Sequence, residues 1–238
     1  MPSAIQTDVP KPHYTSVFDP QLDQVPIYNQ FPSLKPSVGV NYGTNGPKIL
    51  IIAESHYLPK ESKVHRDAST WYSLDHSALS VVGKKKEVEE HWMNTRGILK
   101  KKLKKWKQGH AIYRNLENAL HEAGVPRSAN AFQYVAFMNA FQRPAATGLT
   151  IKATQQDISV ARETVSSVIS ILAPDHVIFV SSKARDLVGK KLGIPHASVP
   201  HPACPHWNNQ KLKKGPGREQ FIAHIRRFYA ASNSEPQA

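Results

Sequence analysis

Four short apolar runs, each emptying into polar residues, constrain the fold of this chain more than any other feature. They lie at 48–54, 134–139, 176–181 and 197–200. Runs of this length bounded by polar residues read as buried strands. Amphipathic stretches fall between them. Ile158, Ala161, Val165, Val168 and Leu172 recur at spacings of three and four, behind Thr154 as N-cap with Asp157 in the first turn, and Pro174 stops the helix. Ile112, Leu116, Ala119 and Leu120 mark another helix over 110–123, with Gly124 as its C-cap. A further short helix is expected over 182–192, and a last one carries Phe221, Ile222, Ile225, Phe228 and Tyr229. Strands alternating with helices predict an α/β fold. The expected form is a three-layer α/β/α sandwich around a central four-stranded parallel sheet.

The chain has 238 residues, enough for one sizeable core. Residues 1–45 are rich in proline and polar residues without a sustained period, and they read as an extended or partly disordered segment wrapping the domain. Residues 46–231 read as one α/β domain and 232–238 as a tail. A long loop is expected over 60–85, holding His65, Trp71, Tyr72 and His76, followed by a helix over 87–107 with a break near Gly97.

Composition narrows the class. No apolar run approaches the ~20 residues of a membrane span, so no membrane partner is expected. The first residues lack a basic stretch followed by an apolar one, so no secretory signal is expected. The single cysteine, Cys204, excludes an internal disulfide framework and a cysteine-ligated iron–sulfur cluster. A cytoplasmic, monomeric protein without a cofactor is the expectation. Lys and Arg number 31 against 18 Asp and Glu, a net charge of +13, which favours a polyanionic partner such as nucleic acid, though a membrane surface or a generally basic proteome would give the same number. Lys84–Lys86 and the lysines from Lys100 to Lys107, Lys101 and Lys104 among them, form the densest basic patch. Leu99, Leu103 and Trp106 recur beneath it at helical spacing.

In an open parallel sheet, chemistry gathers past the carboxyl ends of the strands. The first strand delivers Glu54, Ser55, His56 and Tyr57 there, the second Asn139 to Arg143, and the last His201 to Trp207. An acid, an amide and an imidazole therefore converge on one edge.

These three ends, AESHY, NAFQRP and VPHPACPHW, resemble in order and chemistry the motifs of the uracil-DNA glycosylase superfamily. That family carries a GQDPY-like or GEAPG-like first motif, an LLLN-like second and an HPSP-like third. Members with a GESHY-type first motif and an N-x-x-Q-x-P second are more similar still. The resemblance spans roughly residues 48–230. It implies a uracil-DNA glycosylase-like fold and a monofunctional DNA glycosylase. Such an enzyme flips a uracil or a modified pyrimidine, including modified cytosine of foreign DNA, out of DNA and hydrolyses its N-glycosidic bond.

The resemblance also assigns roles. His201 would stabilise the leaving base anion, Asn139 would read the base edge, and Glu54 would position water or stabilise the oxocarbenium-like sugar. Ser55, His56, Tyr57 and Phe141 would complete the base pocket, with Ser55 and His56 touching base or phosphate. Gln142, Arg143, Lys211, Lys213 and Lys214 would contact the DNA backbone. His206 or Trp207 would enter the gap left by the flipped base. The sequence departs from the GQDPY pattern by carrying Ser55 at the third place, where those members carry Asp. The acidic role therefore moves to Glu54.

Four other readings compete. A non-catalytic nucleic-acid-binding protein on the same fold draws on Ser55. A metal-dependent nuclease needs a carboxylate cluster that is not evident. His196, His201, Cys204 and His206 are closely spaced, but Pro202 and Pro205 stiffen their loop, and no metal site is expected. Ser55–His56 as nucleophile and base lacks a G-x-S-x-G elbow.

Overall fold

The computed structural model describes residues 13–44, 46–59, 62–74, 92–99, 110–127, 130–146 and 150–232. Its strands are β1 (Ser37–Val38), β2 (Ile49–Leu58), β3 (Ala136–Ala146), β4 (His176–Phe179) and β5 (Ala197–Ser198). Its α-helices are α1 (Asp19–Leu22), α2 (Pro26–Gln30), α3 (Ala68–Ser73), α4 (Thr95–Leu99), α5 (Ala111–Glu122), α6 (Gln155–Leu172), α7 (Ser182–Leu187) and α8 (Gly217–Ser232).

The strands form one sheet in the order β1-β3-β2-β4-β5. β3, β2, β4 and β5 run parallel, while β1 pairs antiparallel with β3 through Ser37 opposite Phe137. The expectation of a four-stranded parallel sheet is thus corrected to a five-stranded mixed one. The extra strand comes from the segment read as a tail. A two-residue strand carries no period, and an antiparallel edge strand needs no crossover to announce it. The rest of that segment is also more than a wrapping. Leu22, Tyr28 and Phe31 are fully buried, and Phe31 stacks on Trp71 at 4.6 Å.

Alternation along β2 divides the interior between two faces. Leu50 and Ile52 pack with Met138 and with Ile158, Ala161 and Val165 of α6. Ile49, Ile51 and Ala53 pack with Leu116 and Leu120 of α5 and with Phe221 and Ile225 of α8. Helices therefore cover both faces of the sheet. Thr154 and Asp157 form the capping box that starts α6, and Gly124, at φ +113°, ends α5 in a conformation that disfavours side chains.

β2 and β3 outrun their expected ends. The β2–β4 ladder stops at Ile52 opposite Phe179, but β2 and β3 continue as a two-stranded ribbon to Leu58 opposite Ala146. The AESHY and NAFQRP segments lie within this ribbon, not beyond it. The register shifts between Ser55, opposite Phe141, and Tyr57, opposite Ala145. The extra residues of β3 include Pro144, which has no N–H for the ladder.

The lysine-rich stretch with Lys101 and Lys104, and His76, lie outside the described residues. Among the described residues, no helix is long and apolar enough to cross a membrane.

Candidate active site

Because β2, β3, β4 and β5 are parallel, their carboxyl ends share one edge of the sheet. Glu54 stands one residue past Ala53, which lies opposite Asn139 on β3. Ser181 closes β4 and caps α7, accepting the Ala184 N–H. His201 follows β5, and its loop turns tightly as Cys204 N–H bonds the His201 carbonyl. Asn115 of α5 pins that loop through the Pro202 carbonyl, at 2.7 Å. A Cβ on Gly217 would come within 3.0 Å of Pro200, so close approach holds the start of α8 against the same strand end.

Glu54 is held from both sides. Ser181 Oγ donates to its Oε2 at 2.9 Å, and Thr150 Oγ1 donates to its Oε1. Lys183 Nζ lies 3.8 Å from Oε1. The Glu54 charge also reaches its neighbours. Burial lowers the His201 pKa below the usual histidine value while Glu54 pulls the other way, and both burial and Glu54 push the Tyr57 phenol up. Glu54, Tyr57 and His201 therefore share one electrostatic neighbourhood. Tyr57 is 36% exposed, and Tyr113 of α5 lies within its electrostatic reach.

His201 presents a defined donor. Its Nδ1 accepts the Ala203 N–H at 3.2 Å, so the neutral ring carries its proton on Nε2. Burial favours that neutral form. Asn139 is buried, and its Nδ2 has no hydrogen-bond partner among the described residues. An amide donor left open in the interior carries a desolvation cost of about 1–3 kcal/mol until something accepts from it. Glu54 and His201 thus bring together a carboxylate fixed by hydroxyls and a neutral imidazole donor, and the unspent amide donor of Asn139 belongs to the neighbouring strand, opposite Ala53. Such a set can stabilise negative charge on one fragment of a substrate and positive charge on another.

Other candidates serve the framework. Gln142 is buried, and its Nε2 donates to the carbonyls of Asn139 and Ala140. Arg143 is buried in a two-pronged pair with Asp157, its Nε at 2.8 Å from Oδ1 and its Nη2 at 2.6 Å from Oδ2. It also donates to the His65 and Lys152 carbonyls. The expected phosphate contacts of Gln142 and Arg143 are corrected, since their donors are spent inside the fold. Trp207 is 1% exposed and packs against Phe221, so its expected stacking on DNA bases is corrected to a core role. Phe141 is fully buried within the α6-side core. His56 is buried with Nε2 2.9 Å from Thr95 Oγ1, and burial lowers its pKa to about 4. A neutral ring tied to α4 does not meet a phosphate. Ser55 is nearly buried, whereas His206, Lys211, Lys213 and Lys214 are exposed in the loop that follows His201.

Sequence reasoning missed Thr150, Ser181 and Lys183. Ser181 had a legible signal, a serine between an apolar run and a helix, which is N-cap chemistry. Thr150 and Lys183 had none. No group of three His, Cys, Asp or Glu side chains is placed to hold a metal ion among the described residues. No family model matches this chain, and no curated protein matches it.

Proposed function

We propose that this protein is a monofunctional DNA glycosylase on a uracil-DNA glycosylase-like arrangement of strands and helices. It flips a uracil or modified pyrimidine out of DNA and hydrolyses the N-glycosidic bond. The observation that carries the reading is the shared neighbourhood of Glu54 and the Nε2 donor of His201, with the open amide of Asn139 on β3 opposite Ala53, the residue before Glu54. Cleavage of a glycosidic bond separates charge: the base leaves with electrons and the sugar becomes cationic. Asn139 Nδ2 and His201 Nε2 would donate to the oxygens of the leaving base. Glu54 would face the sugar and orient the attacking water. The neutral imidazole can serve this task through its Nε2–H, donating to the base anion while keeping its proton. The exposed Lys211, Lys213 and Lys214, in the loop that follows His201, would neutralise phosphates.

The test is release of free base, with formation of an alkali-labile abasic site, from single- and double-stranded oligonucleotides carrying uracil and a panel of modified pyrimidines. Release from at least one substrate supports the reading. DNA binding without release from any of them favours a non-catalytic binding protein, the reading to which Ser55 at the place of the family's aspartate points.

A further inference from the structure

We propose that Lys183, acting through Thr150 and together with Ser181, is a positioning residue that aims the Glu54 carboxylate at the reacting sugar. This rests on the glycosylase reading. The geometry is directional. Lys183 Nζ donates to Thr150 Oγ1 at 2.5 Å and to the Ile151 carbonyl at 2.7 Å. A hydroxyl that accepts from an ammonium has a single proton left to give, and Thr150 gives it to Glu54 Oε1. Ser181 repeats the logic on the other side. Its Oγ accepts the Ala184 N–H at 3.3 Å and donates to Glu54 Oε2 at 2.9 Å. Both relays are polarised toward the carboxylate, one by an ammonium and one by the first turn of α7.

Each Glu54 oxygen therefore holds one hydroxyl donor. A carboxylate offers about four acceptor sites, so roughly two stay open for water or for the sugar. The three supports come from two places in the chain: Thr150 from the segment before α6, and Ser181 and Lys183 from the N-cap and first turn of α7. That separation fixes the plane of the carboxylate more firmly than any one partner. Lys183 is 31% exposed and stands 3.8 Å from Oε1, and an ion pair this open to solvent contributes little to folding. Its effect falls on orientation.

The test separates orientation from charge. Two oligonucleotide duplexes carry a cationic azasugar or a neutral tetrahydrofuran at the target position. Binding of each is measured to the wild type and to Glu54→Gln, Lys183→Met, Lys183→Arg and Thr150→Val, all checked by thermal melting. The wild type should prefer the cationic duplex by about tenfold or more, and Glu54→Gln should abolish the preference. Simple electrostatics says that deleting a nearby cation strengthens binding of a cationic sugar. The positioning role requires the opposite: Lys183→Met and Thr150→Val lose most of the preference, and Lys183→Arg regains it. In single-turnover base release, Lys183→Met should lower the maximal rate about 10- to 100-fold with the half-saturating concentration unchanged.

A preference that persists or grows in Lys183→Met, with a wild-type rate, overturns the positioning role and leaves the glycosylase reading standing. A wild type that neither prefers the cationic duplex nor releases any base overturns both. If Lys183→Met fails to fold, Thr150→Val decides by the same readouts, because it removes only the relaying hydroxyl.

Discussion

Gln142 folds back on Asn139: its Nε2 donates to the Asn139 carbonyl at 2.7 Å and to the neighbouring Ala140 carbonyl at 3.1 Å. Gln142 itself lies where β3 gains residues on β2, between the Ser55–Phe141 and Tyr57–Ala145 pairs. The side-chain amide reaches back from the irregular stretch to two carbonyls of the regular ladder before it. It also fixes the backbone that carries the unspent Asn139 amide.

Replacing Gln142 with Leu therefore leaves two buried carbonyls without this donor. The expected cost is about 1–3 kcal/mol of folding stability, read from urea unfolding. Under the proposed function, base release should fall further than stability alone explains, because Asn139 loses its backbone anchor. An unchanged unfolding midpoint would remove the amide's role at the bulge.

Arg143 is a structural cation. Burial works against the Asp157 charge, but the guanidinium and the Thr154 N–H together hold its carboxyl below the usual range. Arg143→Met strands that carboxylate in the interior, where breaking a buried pair costs about 3–5 kcal/mol. The expected outcome is a large loss of thermal stability and, under the proposed function, an unchanged salt dependence of DNA binding. A stable variant with a shallower salt dependence would return Arg143 to the DNA-contacting role that the sequence assigned it.

His56 and His65 are both held neutral, near pKa 4, by burial, with Arg66 and Arg143 adding to the effect at His65. The ordinary value in an unfolded chain is about 6.5. A lowered histidine pKa means that the unfolded chain takes up protons first as the pH falls. Their contribution is therefore complete above about pH 6.5 and is lost progressively toward pH 4. Denaturant unfolding between pH 7 and pH 4 should show this decline, and it should be shallower in His65→Phe. Equal slopes in the two proteins would contradict the assignment to His65.

Glu117 works in the opposite direction. Burial pushes its carboxyl up to about 7, against the Ala131 N–H that favours the charged form. Its Oε2 has no partner, and His121 Nε2 lies 3.7 Å from Oε1. His121 Nδ1 already donates to the Val125 carbonyl at 3.1 Å, so the neutral ring turns a bare nitrogen toward the carboxyl. A raised carboxyl pKa stabilises the fold fully below the unfolded value of about 4.3 and loses that contribution as the pH rises through 7. Glu117→Gln should be the more stable protein at pH 8 and lose its advantage near pH 4.5. An advantage independent of pH would contradict the buried-acid account.

Much of the frame was legible in the sequence because its signals are local. The apolar runs at 49–53 and 176–179, the Thr154–Asp157 cap and the glycine after α5 each express a periodicity or a cap that a short window contains. β1 was not legible, because Ser37 and Val38 become a strand only when β3 offers an edge. Leu22, Tyr28 and Phe31 were hidden by helices too short to show a period. The site divides in the same way. The placing of His201 after β5 followed from the parallel sheet, whereas Glu54 and Asn139 lie inside β2 and β3, whose polar continuation as a ribbon reads in sequence as two strand ends. Gln142 and Arg143 looked like surface residues because polarity reads as exposure until a buried partner is seen, and Asp157 lies fourteen residues beyond Arg143. Trp207 misled for the converse reason: an aromatic in a basic loop reads as a stacking side chain until Phe221 is found against it.

The central claim meets its most direct test in single-turnover release of free base from the substrate panel, followed by chromatography for wild type, Asn139→Ala and His201→Ala. The account expects release by the wild type from at least one uracil- or modified-pyrimidine-containing strand, and a loss of about 10²-fold or more in each variant that still folds. Absence of release across the panel, or wild-type rates in both folded variants, would contradict it.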